Sequence, residues 1–163
     1  MLFGGGFERR SEAVAVRAAQ TAIYQVQIQL EAMNAALWPE DIQLCDRGTL
    51  DGAAYWPGSC SSYFRHLGTT MQDELQRYDA VIFMQSAAAG GHEIAGGNAL
   101  RNESLAQAKA LDRRLMRLWS RHPRFFLVPH DDSFMVKIGN ALAVLEELRQ
   151  QHLRSKVGRV ARG

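Results

Sequence analysis

The chain has 163 residues, 47% of them hydrophobic and 22% charged, with a net charge of +2. These totals suit one soluble globular domain with a single core and exclude a disordered chain. So small a charge gives no argument for nucleic acid, two cysteines make no disulfide framework, and no apolar run approaches the roughly 18 residues of a bilayer span. Met1-Leu2-Phe3-Gly4-Gly5-Gly6 has no charged n-region and too short an apolar part for a signal peptide. By elimination the chain is expected in a reducing compartment, the cytoplasm.

Gly4-Gly5-Gly6 invites comparison with a phosphate loop. A Walker-type loop needs a lysine and then a serine or threonine after its second glycine, at the mouth of a helix. Here Phe7-Glu8-Arg9-Arg10 follows, so a lead-in is the reading. From Ser11, a plausible N-cap, a long helix is expected, with Glu12 in the first turn where the dipole favours an acid. Ile23, Val26, Leu30, Met33 and Leu37 follow at steps of 3, 4, 3 and 4, the spacing of one buried stripe. Pro39 should stop the helix near Trp38.

Ile42-Gln43-Leu44-Cys45 is short, mostly apolar and bounded by Asp41 and Asp46, so it reads as a buried strand. Leu44-Cys45-Asp46-Arg47-Gly48-Thr49-Leu50-Asp51-Gly52-Ala53-Ala54-Tyr55-Trp56 then places two acids, an arginine and two glycines within seven residues. A strand that ends in charged residues and turns is the usual ligand position in an α/β sheet. A polar loop from Pro57 to Ser62 leads to short helical pieces around 63–67 and 70–78. The run from Asp79 to Gln85 is the clearest strand.

Residues 86–102 are small, glycine-rich and aperiodic, which suggests a lid, a binding loop or disorder. Leu105, Ala108, Leu111, Leu115 and Leu118 line a second long helix that starts near Arg101 and Glu103 and closes at His122-Pro123. Residues 124–128 form a third strand. Asp131, Asp132 or Ser133 can cap a last helix with the stripe Phe134, Ile138, Ala141, Leu145 and Leu148. A domain over 1–150 and a basic tail over 151–163, fraying from Arg154, complete the chain. Strands alternating with helices imply a three-layer α/β fold with a parallel sheet, although three strands are few for one.

The segment from Cys45 to Trp56 resembles the motif of NadR-like AAA domains, P-loop ATPases related to small-metabolite and nucleoside kinases. The resemblance continues through Tyr78-Asp79-Ala80-Val81-Ile82, Asn98-Ala99-Leu100-Arg101-Asn102-Glu103-Ser104, Ala110-Leu111-Asp112 and Trp119-Ser120-Arg121-His122-Pro123. It implies a P-loop NTPase fold, ATP with magnesium as cofactors, and a small nucleoside-like metabolite as substrate. In that family a first strand, a Walker A loop, its helix and a second strand come before these motifs. None is present here, so the resemblance implies a chain that starts partway through the domain. The family's phosphate-loop strand lies between the strand ending at Asp46 and the strand at Val81–Met84. Without it those strands must pair directly or leave backbone unpaired, at about 1–3 kcal/mol for each buried group. A marginal fragment is expected, inactive toward ATP by itself, that needs a complementing N-terminal segment or assembles as a homo-oligomer.

Asp46 can hold a magnesium-bound water or accept a substrate proton, and Arg47 can clamp a phosphate with two prongs. By resemblance the pair matches the acid and arginine of the kinase substrate site; an Asp-Arg ion pair capping a turn is the plainer reading. Asp51 can assist Asp46 or cap the following helix. Tyr55 and Trp56 can stack on a base or pack as an aromatic pair. By resemblance Arg101 is a lid arginine that reaches transferred phosphate, against a surface pair with Glu103. His92 and Glu93 are too few for a metal site. Cys45 reads as a small buried hydrophobe. The alternative function is a regulatory or protein-interaction module that has lost nucleotide binding.

Overall fold

The structure, a computed structural model, describes residues 10–87 and 104–160. The glycine run at 4–6, the loop residues 88–102 with His92, Glu93 and Arg101, and Glu103 lie outside the described residues.

The first helix, α1 (Ala13–Leu37), ends at Trp38 before Pro39, as the proline dictates. Its cap residue is Glu12 rather than Ser11, and no side chain caps it. The periodicity is right but the face is wrong. The stripe expected in the core is turned outward, with Val26 43% and Leu37 58% exposed. The opposite face packs instead: Arg17 lies 5.9 Å from the Trp56 ring, Thr21 meets His66 at 3.0 Å, and Tyr24 is buried.

Ile42–Cys45 forms no strand. Ile42 and Leu44 are 45% and 68% exposed. A strand is completed by a neighbour's hydrogen bonds and by burial, and a four-residue apolar run has neither by itself. The buried strand expected at Ile42–Cys45 is therefore corrected.

Three short helices follow: α2 (Asp51–Tyr55), α3 (Cys60–Leu67) and α4 (Met71–Gln76). Their ends are set by local chemistry. The Ser59 side chain accepts from Ser62 N, Gly68 closes α3 at φ 72°, and Thr70 with Asp73 forms a capping box. Then β1 (Val81–Met84), α5 (Leu105–Trp119) and β2 (Phe125–Val128) form a parallel strand–helix–strand unit. Val81 pairs with Phe125 and Met84 with Val128. Ser104 and Gln107 make a second capping box at α5. The expected α5 stripe is the inward face, with Leu118 fully in the core.

The last helix, α6 (Phe134–Val160), packs on both strands. Ser133 caps it, accepting from Val136 N at 3.4 Å. It runs through Val160, so residues from Arg154 on do not leave the helix where fraying is expected. Phe134, expected in its stripe, is 70% exposed.

Among the described residues the architecture is mixed α/β with a two-stranded parallel sheet. The core is mostly helical. Leu50, Ala53, Trp56, Tyr63, Leu75 and Trp119 are central to it, and Val81, Phe83 and Phe125 of the strands pack against its edge.

Candidate functional site

The segment from Asp46 to Asp51 is held from below by a buried polar scaffold. Thr49 is gripped on both sides of its backbone. Its N–H donates to Tyr78 Oη at 2.8 Å, and its carbonyl accepts from Tyr63 Oη at 2.7 Å. Tyr78 Oη in turn donates to Glu31 Oε1 at 2.9 Å. Gly48 is pressed against Trp119, where a Cβ would come within 2.6 Å of the ring. Gly52 is pressed against Tyr63 in the same way, at 2.5 Å. Only glycine permits either approach.

Two buried carboxylates anchor the scaffold and share one guanidinium. Arg77 Nη2 reaches Glu31 Oε2 at 2.6 Å, and its Nε lies 3.8 Å from Glu74 Oε2. Glu74 Oε1 also accepts from Tyr24 Oη and Thr69 Oγ1, each at 2.6 Å. Burial and the Glu74 carboxylate push the Tyr24 phenol up to about 12. Burial raises the Tyr63 and Tyr78 phenols as well. All three hydroxyls therefore stay protonated and can donate. Burial beside Glu31 also raises the Cys45 thiol, which disfavours a thiolate.

On this base Arg47 adopts φ 90°, and it is the one non-glycine residue with positive φ among the described residues. Its Nη1 lies 3.5 Å from Asp51 Oδ2, and its side chain is 55% exposed. The ion pair is thus Arg47–Asp51, one helical turn apart, and not the Asp46–Arg47 pair expected as the plainer reading. Asp51 Oδ1 accepts from Trp119 Nε1 at 2.7 Å. Burial raises the Asp51 carboxyl, with Trp119 and Arg47 pulling it back. Burial by itself would lower the Arg47 guanidinium, but the charge and hydrogen bond of Asp51 together with Tyr55 and Asp46 outweigh it and hold it above its usual value. Asp51 sits in the first turn of α2 and braces the arginine. Asp46 is exposed beside them.

The neighbouring aromatics are divided. Trp56 is enclosed in the core, edge-on to Tyr63 at 5.3 Å, with its Nε1 donating to Ser62 Oγ at 3.1 Å. Stacking on a base needs an open ring face, which this enclosure denies it. Its aromatic partner is Tyr63 and not Tyr55. Tyr55 is half-buried at the end of α2, close enough to Arg47 to favour its charge. The loop therefore presents one exposed carboxylate and one braced, exposed guanidinium. That arrangement can receive an anion such as a phosphate, with a carboxylate alongside to accept a hydroxyl proton.

A family model described as AAA domain matches residues 2–133 of the chain. The chain belongs to the AAA domain family. Membership points to a nucleotide-binding, kinase-like domain. No curated protein and no solved structure matched the chain.

In this AAA domain the donor set around Asp46 does not fit a resident magnesium. Asp51 is committed to Trp119 and Arg47, and the arginine's own charge stands next to Asp46. Among the described residues no cluster of three or more His, Cys, Asp or Glu side chains can hold a metal. Also among the described residues, no helix is long and apolar enough to cross a membrane.

Several residues that build the site carry no sequence signal of their role. Glu31 and Glu74 look like ordinary helix surface acids, yet both are buried. His122 is buried too. Its Nδ1 accepts from Arg124 N at 3.0 Å, which leaves Nε2 as the donor to Tyr78 O at 2.7 Å. It staples the approach to β1 onto the turn before β2. Tyr78, Asp112 and Trp119 lie in segments that carry the family resemblance. Asp112 accepts from Ser86 N at 2.8 Å, just after β1. A separate cleft of 230 Å³ opens near the carboxyl ends of the strands, lined by Ala87, His130, Asp131, Asp132, Phe134 and Lys137.

Proposed function

We propose that this AAA domain is of the NadR-like kind, and that its Asp46–Arg47 loop is the acceptor side of a site for phosphoryl transfer to, or sensing of, a small nucleoside-like metabolite. The observation that carries the reading is Arg47. It is held at positive φ by a loop pinned through Thr49, and braced by Asp51, which Trp119 fixes in turn. A backbone conformation that costs about 1–3 kcal/mol persists only where the surroundings enforce it, and such positions gather at ligand sites. In this role Arg47 takes the phosphate of the bound metabolite and Asp46 receives the proton of its hydroxyl. Asp51 and Trp119 position the arginine without touching the ligand.

The same reading holds that these 163 residues do not transfer phosphate from ATP by themselves. Nowhere in the sequence does a glycine-rich loop lead into a lysine followed by serine or threonine, the group that cradles the β- and γ-phosphates. Arg101 can serve as a further phosphate contact.

Thermal unfolding with millimolar nucleosides and mononucleotides tests the acceptor side. A mononucleotide that binds the native fold raises the midpoint. Arg47→Ala should remove that rise. A rise of equal size in Arg47→Ala, or no rise with any mononucleotide, contradicts the assignment.

A further inference from the structure

The outward side of α5 concentrates positive charge. Residues 104–124 hold six of the chain's 19 lysines and arginines, Lys109, Arg113, Arg114, Arg117, Arg121 and Arg124, against one of its 17 acids. That acid, Asp112, is buried away from this face and accepts from Ser86 N. All five arginines are exposed. Lys109, Arg113 and Arg117 follow one another at steps of one turn, and Arg121 extends the line past the helix end at Trp119. Arg47, Arg77 and Arg149 each meet a carboxylate. The arginines of this face meet neutral groups instead. Arg114 Nη1 donates to Ala54 O and Arg117 Nε to Arg113 O, each at 3.3 Å, and Arg121 Nη1 reaches Met71 Sδ at 3.5 Å. Arg124 donates to Asp79 O at 3.4 Å and to Gln151 Oε1 at 2.7 Å. Among the described residues none of the five makes an ion pair.

A row of guanidiniums without counter-charges calls for an anionic partner, and its chemistry selects which one. A guanidinium presents a planar fork that grips phosphate oxygens two at a time. Lys109 to Arg117 spans about 12 Å, at 1.5 Å per residue. Over that length one strand of a duplex carries about three or four phosphates, at 3.4 Å each. A protein partner draws most of its binding energy from aromatic or aliphatic anchors seated in pockets. Here the exposed side chains beside the cations are Ala106 and Ala110, which offer no such anchor but let a backbone approach closely. The whole-chain charge of +2 hides this face, because the other residues carry more acids than bases. We infer that the outward face of α5 binds the phosphate backbone of a nucleic-acid duplex, without reading its base sequence.

Fluorescence anisotropy of a labelled DNA duplex of about 20 base pairs, titrated with the intact chain at several salt concentrations, tests this. The expected dissociation constant is on the order of 10 μM at about 0.1 M salt, and the logarithm of affinity should fall against the logarithm of salt with a slope of about −3 to −4. Arg113→Gln combined with Arg117→Gln removes two charges at exposed positions. It should weaken binding at least roughly 10-fold and make the slope shallower by about 2, with the thermal midpoint unchanged. Arg113→Lys with Arg117→Lys restores the charges and should restore the slope. Should the paired glutamines unfold the chain, Arg113→Gln alone is expected to reduce the slope by about 1. No binding at about 100 μM chain overturns the proposal, as does an unchanged slope in a folded glutamine variant. Tighter binding to poly-glutamate, or to phosphatidylserine vesicles, than to the duplex also overturns it, because the face would then serve an acidic protein or a membrane surface.

Discussion

At Arg47 the backbone bears a cost that the side chain does not recover through stability. Its contact with Asp51 is half-exposed and 3.5 Å long, and such pairs contribute about 0–1 kcal/mol. A φ of 90° costs a residue with a Cβ about as much or more. Arg47→Gly should therefore leave the unfolding free energy from urea titration unchanged or raise it by up to about 1 kcal/mol, while abolishing any response to mononucleotides. A loss of more than 1 kcal/mol in stability would show that the arginine is a structural tie and not a ligand group. The acid, the arginine and the glycines of this loop stand together in the sequence, so a site there was legible from residue types. Its support was not. Glu31, Glu74 and Trp119 lie 15 residues or more from the loop, and only the fold brings their side chains under it.

Among the elements, α2 and α1 show opposite limits of reading a sequence. The five residues of α2 are too few to carry a periodic signal, yet the helix is fixed by contacts at atomic range. A Cβ at Gly52 would stand 2.5 Å from Tyr63 Oη, whose hydroxyl is needed by Thr49. Gly52→Ala should cost about 1–3 kcal/mol in chemical unfolding, and a neutral result would mean that Tyr63 can move aside. In α1 the period was plain, but periodicity gives no sign of which side meets the domain. Arg17, Thr21, Tyr24 and Glu31 look like a solvated face, and they pack because aromatic, hydroxyl and guanidinium partners await them. The tyrosine scaffold between α1 and α4 has its own pH signature. The Tyr24 phenol is raised from 10.0 to about 12 in the folded chain. Its contribution is complete below pH 10 and is lost as pH rises through 12, because the unfolded phenol ionises first. Urea midpoints should fall between about pH 10 and 12, and less steeply in Tyr24→Phe. Equal slopes in the two proteins would remove Tyr24 from the scaffold.

For the molecule as a whole, the strand–helix–strand unit was readable because β1, α5 and β2 carry continuous apolar runs and a capped amphipathic helix. The run at Ile42–Cys45 misled because its apolar residues resemble a buried strand while no neighbour pairs with it. Among the described residues the sheet is left with two strands at the margin of a core made mainly by helices. The family points to nucleotide binding, we propose the Asp46–Arg47 loop as an acceptor site, and the sequence holds no cradle for the β- and γ-phosphates. Calorimetric titration of the purified chain with magnesium ATP tests that combination most directly. No saturable heat is expected at micromolar ATP. Stoichiometric binding with a micromolar dissociation constant, unchanged in Arg47→Ala, would contradict it.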